Sequence, residues 1–182
     1  MTILCYGDSN TFGYDPRSFL GDRYETPWPE ALAELTGFDV RSNGACGRRV
    51  PVGERVFPKN ADLILVMLGT NDLLNGEAPR SIAEKMVRFL SGLDHSRILL
   101  ISPPPLCRGE WVSDDDLIHR SVLLAEEYRA VAQRLGIRFL DAGEWGIPLC
   151  YDGVHFTEDD TGHSRSISHR FYRKNHKKSL AV

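Results

Sequence analysis

The chain has no apolar run approaching the roughly 20 residues needed to cross a bilayer, so no membrane span is expected. Its few cysteines are Cys5, Cys46, Cys107 and Cys150, and none stands in a Cys-x-x-Cys or Cys/His pattern. That spacing argues against a disulfide framework and against a thiolate metal site. Cys5 reads as core, and Cys46 as a small side chain filling space between two loop glycines. There is no His-Glu-x-x-His pair, so metal-assisted hydrolysis is not expected. A Gly-x-Gly-x-x-Gly loop and a P-loop are both missing, and no cofactor is indicated. The Gly-x-Ser-x-Gly elbow of ordinary α/β-hydrolases is missing too. No leader is evident: Thr2 runs straight into a strand, and removing a typical leader of roughly 15–30 residues would delete Ser9. The expectation is a cytoplasmic protein with reduced thiols.

What the chain does have is the make-up of an ordinary globule: 182 residues, 42% apolar and 26% charged, with net charge -3. One domain spanning 1–182 is expected, large enough to bury a core without staples. The charge is unevenly spread. No acid follows Asp160, whereas Arg165, Arg170, Arg173, Lys174, Lys177 and Lys178 do. A basic segment over 161–182 raises the question of nucleic acid, but a solvated helix face is the simpler reading. No nucleic-acid partner is expected, because the body is acidic.

Periodicity predicts alternating strands and helices. Thr2 to Tyr6 reads as a buried strand ending at Gly7, and Phe38 to Ser42 as a second. Ala61 to Leu68, Arg97 to Ser102 and Ile137 to Leu140 are the remaining strands. Trp28, Ala31, Leu32 and Leu35 have helical spacing. So do Ile82, Met86 and Phe89 within 79–90, and Leu117, Ser121, Leu124, Tyr128, Val131 and Leu135 after an acidic start at 113–116. Residues 48–60 read as loop. This alternation predicts a parallel sheet covered on both faces, with ligands at the strands' carboxyl ends.

Polar residues suited to acyl transfer fall at such ends. Ser9 follows the first strand at what reads as an exposed Gly7-Asp8-Ser9 turn; taken alone it is more simply a helix N-cap. Asp152 precedes His155 by three residues on a late loop, a spacing that lets a turn bring the carboxylate to Nδ1 and leave Nε2 for a nucleophile. The alternative is a capping Asp152 and a surface His155. Glycines of the 44–47 loop, the Ser9 N–H and the Asn71 amide could donate to an oxyanion. Their plainer reading is turn residues.

With Cys5-Tyr6-Gly7-Asp8-Ser9-Asn10, Gly44-Ala45-Cys46-Gly47, Met67-Leu68-Gly69-Thr70-Asn71-Asp72 and Asp152-Gly153-Val154-His155-Phe156 in place, the chain resembles the GDSL/SGNH hydrolase family over roughly residues 2–160. The resemblance implies a three-layer α/β/α sandwich with a five-stranded parallel sheet, flavodoxin-like in arrangement. It implies Ser9 as nucleophile, Asp152 and His155 as the rest of a triad, and Ser9, Gly47 and Asn71 as oxyanion donors. Ile101-Ser102-Pro103-Pro104-Pro105-Leu106 and Asp141-Ala142-Gly143 are similar to the arylesterase/acyltransferase branch, which implies short-chain acyl or aryl esters as small-molecule substrates. Carbohydrate O-acetyl esters, thioesters and lysophospholipids belong to the same family's range, and a homo-oligomer is compatible with it. Two features depart from the branch: a short stretch between Gly47 and the third strand, and the basic C-terminal segment. From another class, a non-catalytic flavodoxin-like binding module would have no reason to bring Ser9, Asp152 and His155 together.

Overall fold

The computed structural model describes residues 1–53 and 57–157. The basic segment expected over 161–182 lies outside the described residues. Five strands form one parallel sheet: β1 (Thr2–Gly7), β2 (Asp39–Gly44), β3 (Leu63–Met67), β4 (Ile98–Ser102) and β5 (Arg138–Asp141). Their spatial order is β2-β1-β3-β4-β5. The order reverses between β1 and β3, and a crevice outside the carboxyl ends at such a switch point is where doubly wound sheets bind ligands. Register puts Gly7 opposite both Gly44 and Met67, so three strands end side by side there.

The sheet is apolar on both faces because its central strands are buried on both sides. On one face Leu4, Tyr6, Ile64, Val66, Ile98 and Leu100 pack under two long helices, α4 (Pro79–Ser91) and α5 (Asp115–Leu135). On the other, Ile3, Cys5, Leu65, Met67, Leu99 and Ile101 pack with Trp28 and Leu32 of α2 (Trp28–Thr36), and with Trp145 and Phe156. The alternation follows the period-two pattern of the strands. Helices on both faces make the three-layer α/β/α arrangement expected from the sequence.

The acidic start of α5 holds, with Asp114 as the cap: its side chain accepts the Asp116 N–H. Other local readings change. Leu35 shares the helical spacing of Trp28 and Leu32 but is 42% exposed. Two short helices border the switch point. One is α1 (Ser9–Phe12), directly after β1; the other is α3 (Thr70–Leu74), directly after β3. Four or five residues are too few for a hydrophobic period to show.

Candidate active site

Asp8 directly follows β1 and caps α1: its Oδ1 accepts the Asn10 N–H at 3.0 Å. Ser9 is therefore the first helical residue and not the cap. It is also buried, at 7% exposure, where an exposed turn was expected. What covers it is the loop after β5, which returns over α1 and carries His155.

That loop is held from several sides. Cys107 N–H donates to Gly153 O at 3.1 Å, and Trp111 N–H to Asp152 O at 3.1 Å. Asn10 donates to Val154 O at 3.2 Å and accepts from Phe156 N–H at 2.9 Å. Tyr24 OH donates to Phe156 O at 2.9 Å. The loop is thereby fixed to α1 over a sequence separation of 146 residues.

Within it, Asp152 Oδ1 accepts the N–H groups of Val154 (2.9 Å) and His155 (3.1 Å), while Oδ2 lies 2.5 Å from His155 Nδ1. Asp152 is wholly buried and His155 nearly so. A carboxylate held by two main-chain donors acts as acceptor only, so the imidazole proton sits on Nδ1. Nε2 is then the acceptor, and Ser9 Oγ lies 2.9 Å from it. The structure thus brings Ser9, His155 and Asp152 into one hydrogen-bonded chain, whose chemical capacity is to withdraw the serine proton. Tyr14 and Trp111 flank the imidazole, with ring centroids 4.8 and 5.5 Å from it.

The candidate donors follow the ends of β1, β2 and β3. The N–H groups of Ser9 and Gly47 meet no acceptor among the described residues. Gly47 lies in a turn closed by Arg48 N–H to Ala45 O, at a φ of 73° that favours glycine. Among the described residues nothing crowds the space its Cβ would take, so within the fold it is the backbone conformation that calls for glycine. Asn71 is the second residue of α3, and its Nδ2 donates to Arg48 O at 3.1 Å. One N–H of that amide is thereby used and the other left over. Tyr128 OH donates to Leu68 O at 3.0 Å and anchors the end of β3.

Asp8 is fully buried and its Oδ2 has no hydrogen-bond partner among the described residues. Burial pushes its carboxyl up to about 7; the Asn10 N–H, the Thr70 side chain and the Arg48 charge offset only part of that. Burial also raises Asp72, which accepts the Val50 N–H at 2.9 Å and pairs with Lys85 at 3.3 Å.

Among the described residues, no group of three His, Cys, Asp or Glu side chains could hold a metal ion. A cavity of about 570 Å³ lies elsewhere, against Phe57, Ile64, Lys85, Phe89, Leu93 and Arg97, and none of the residues discussed for acyl transfer lines it. No helix among the described residues is long and apolar enough to cross a membrane.

Sequence reading gave no role to Asn10 or Arg48. Asn10 lies within the Gly7-Asp8-Ser9-Asn10 segment, but its partners are too distant in the chain to be inferred. Arg48 lay in a stretch without periodicity.

Comparison with curated proteins returned no match. Solved structures do match. A protein of Agrobacterium tumefaciens C58 assigned as an arylesterase is 28% identical, with TM-score 0.78 over 97% of this chain and 98% of that one. A Sinorhizobium meliloti carbohydrate acetylesterase family member is 26% identical, with TM-score 0.71 over 100% and 99%. An aryl esterase of M. smegmatis, 24% identical with TM-score 0.79 over 97% and 98%, shares the fold. The GDSL-like lipase/acylhydrolase family pattern matches residues 5–163, nearly the whole chain, and the chain belongs to that family.

Proposed function

We propose that this chain is a serine-dependent carboxylic ester hydrolase that cleaves short-chain acyl or aryl esters through an acyl-enzyme. The observation that carries the reading is the buried chain from Ser9 Oγ through His155 to Asp152. Ser9 Oγ attacks the ester carbonyl while His155 Nε2 takes its proton. Asp152 keeps the imidazole in the right tautomer and stabilises the imidazolium. The Ser9 and Gly47 N–H groups and the remaining Asn71 N–H receive the oxyanion. His155 then protonates the leaving alkoxide. In the second half His155 takes a proton from a water that attacks the acyl carbon; the bond to Ser9 Oγ then breaks, His155 returns the proton to Oγ, and the carboxylic acid leaves. The steps call on no metal or cofactor. The names of the similar structures support ester substrates of two kinds, aryl esters and acetylated carbohydrates. Flat aromatic walls from Tyr14 and Trp111 beside the imidazole favour the aryl ester.

The test is hydrolysis of nitrophenyl esters of increasing acyl length, with and without chelator, beside acetylated sugars. Turnover should be fastest on the shortest esters, indifferent to chelator, and abolished in Ser9→Ala. His155→Ala should lose nearly as much, on the order of 10⁶-fold in kcat, and Asp152→Ala rather less. Turnover persisting in purified Ser9→Ala would remove the nucleophile assignment, and loss with chelator would remove the metal-free mechanism.

A further inference from the structure

An oxyanion site built on three strands has a geometric problem. Sheet hydrogen bonding fixes β1, β2 and β3 relative to one another only as far as Gly7, Gly44 and Met67. The candidate donors sit beyond that ladder, at Ser9, Gly47 and Asn71. Preorganised donors must hold their places to about 0.5 Å to be of use. Something past the ends of the strands must therefore tie them together.

Arg48 meets the end of β1, the end of β2 and Asn71 of α3, the helix that follows β3. Its Nη1 donates to Gly7 O at 2.9 Å, at the end of β1, and also to Asn43 O in β2. Its Nη2 donates to Asn43 Oδ1 at 2.9 Å. The guanidinium lies over the Tyr6 ring, 4.4 Å from the centroid, which fixes the plane of the fork. Its main-chain N–H closes the turn that carries Gly47. Its carbonyl accepts from Asn71 Nδ2 at 3.1 Å. An amide nitrogen has two hydrogens in a fixed plane, so engaging one sets the direction of the other. The side chain of Arg48 thus pins β1 and β2, while its main chain sets the Gly47 turn and the Asn71 amide.

We propose that Arg48 is the positioning residue of the oxyanion site, locking the Ser9, Gly47 and Asn71 donors into one geometry. The inference rests on the hydrolase reading above and extends it to a residue that touches no reacting atom. Its main effect falls on the transition state. The ester carbonyl of the ground state needs these donors less than the tetrahedral oxyanion does, so loosening them lowers kcat and leaves KM nearly unchanged.

The test is a double-mutant cycle between Arg48→Met and Asn71→Ala on a nitrophenyl acetate, with thermal unfolding of each variant recorded alongside. Losing one donor typically costs about 100–1000-fold in kcat. Arg48→Met should cost about 10–100-fold in kcat with KM within about twofold, since the donors remain but lose their alignment. Arg48→Met keeps the carbonyl that accepts from Asn71 but releases the guanidinium contacts that hold that stretch of main chain to β1 and β2. Adding Asn71→Ala should then cost less than it does in the unaltered protein, because the amide no longer has a fixed acceptor to aim it. Arg48→Lys keeps the charge over Tyr6 and one carbonyl contact but loses the fork. It should fall between the two, and it carries the cycle if Arg48→Met does not fold. Full additivity with Asn71→Ala, or a kcat unchanged in both Arg48 variants, overturns the proposal. Arg48 variants that lose only thermal stability also overturn it, by reducing Arg48 to a strand-end tie. Ser9→Ala, measured in parallel, reports separately on the hydrolase reading: if it retains turnover, that reading fails first.

Discussion

Asn10 grips the main chain on both sides of His155: its amide donates to Val154 O and its carbonyl accepts from Phe156 N–H. The residue directly after the candidate nucleophile therefore holds the candidate base. Asn10→Ala leaves a buried carbonyl and a buried N–H without partners, a loss of about 1–3 kcal/mol. It also frees the His155 loop from α1. The expected outcome is a lower midpoint of unfolding together with a fall in kcat of at least about 10-fold on nitrophenyl acetate. Asn10→Asp is the sharper variant. It keeps an acceptor for Phe156 but has no donor for Val154, and it places a second carboxylate near His155. Unchanged turnover in both would show that the loop is fixed without Asn10.

Asp8 makes a prediction about pH and stability. Its carboxyl is raised to about 7 in the folded chain, against 3.8 for the free group, with burial as the main cause. The folded state thus binds the extra proton between those values. Stability falls as pH rises from about 4 to about 7, then levels off. At 1.36 kcal/mol per unit the contribution is on the order of 4 kcal/mol. Thr70 and Arg48 face the group, and Cys46 feels its charge. Asp8→Asn keeps the cap on α1 and removes the titration. Chemical unfolding of both proteins from pH 4 to pH 8 should show Asp8→Asn gaining on the parent as pH rises. A constant difference across that range would show that Asp8 ionises without penalty.

Lys85 is the counterion of a buried acid. Asp72 is fully buried, and Lys85 pairs with it at 3.3 Å and with Glu77 at 2.5 Å. Breaking a buried pair by removing one member costs about 3–5 kcal/mol. Lys85→Met should cost about 3 kcal/mol at pH 8, the lower end, because Val50 N–H still donates to Asp72. The cost should shrink at pH 5, where Asp72, already raised by burial, takes up a proton more readily. Denaturant midpoints at the two pH values check this; equal costs would place the loss in packing rather than charge.

How far the sequence could be read depended on the range of the contacts involved. Strands such as Leu63–Met67, with every residue buried, announce themselves as apolar runs. The Asp152–His155 spacing is local and was legible as a candidate pair. That Ser9 stands against His155 follows from no local spacing, since it depends on a loop folding back across the molecule, and only the family resemblance leads one to expect it. For the same reason Ser9 was read as exposed and Asn10 as a bystander. Arg48 was hidden differently: its partners are mostly main-chain carbonyls, which carry no signature in sequence. The short α1 and α3 fell below the length at which periodicity speaks.

The two loop glycines look alike in sequence and should behave differently. Gly44 ends β2 under α1, and a Cβ there would stand 2.1 Å from Phe12 N and 2.5 Å from its Cα. Backbone cannot step aside as a side-chain tip can, so Gly44→Ala must displace α1 and with it Ser9. Among the described residues nothing lies near the Cβ position of Gly47, whose φ is 73°. An alanine there pays only for left-handed backbone, about 1–2 kcal/mol, and it retains the N–H. Gly47→Ala should therefore fold, unfold a few degrees lower, and keep turnover within about 10-fold of the parent. Gly44→Ala should lose both stability and nearly all turnover. Thermal melts and kcat for the pair decide it. An active Gly44→Ala beside an inactive Gly47→Ala would mean that the 44–47 loop tolerates displacement of α1 but not a methyl group at position 47.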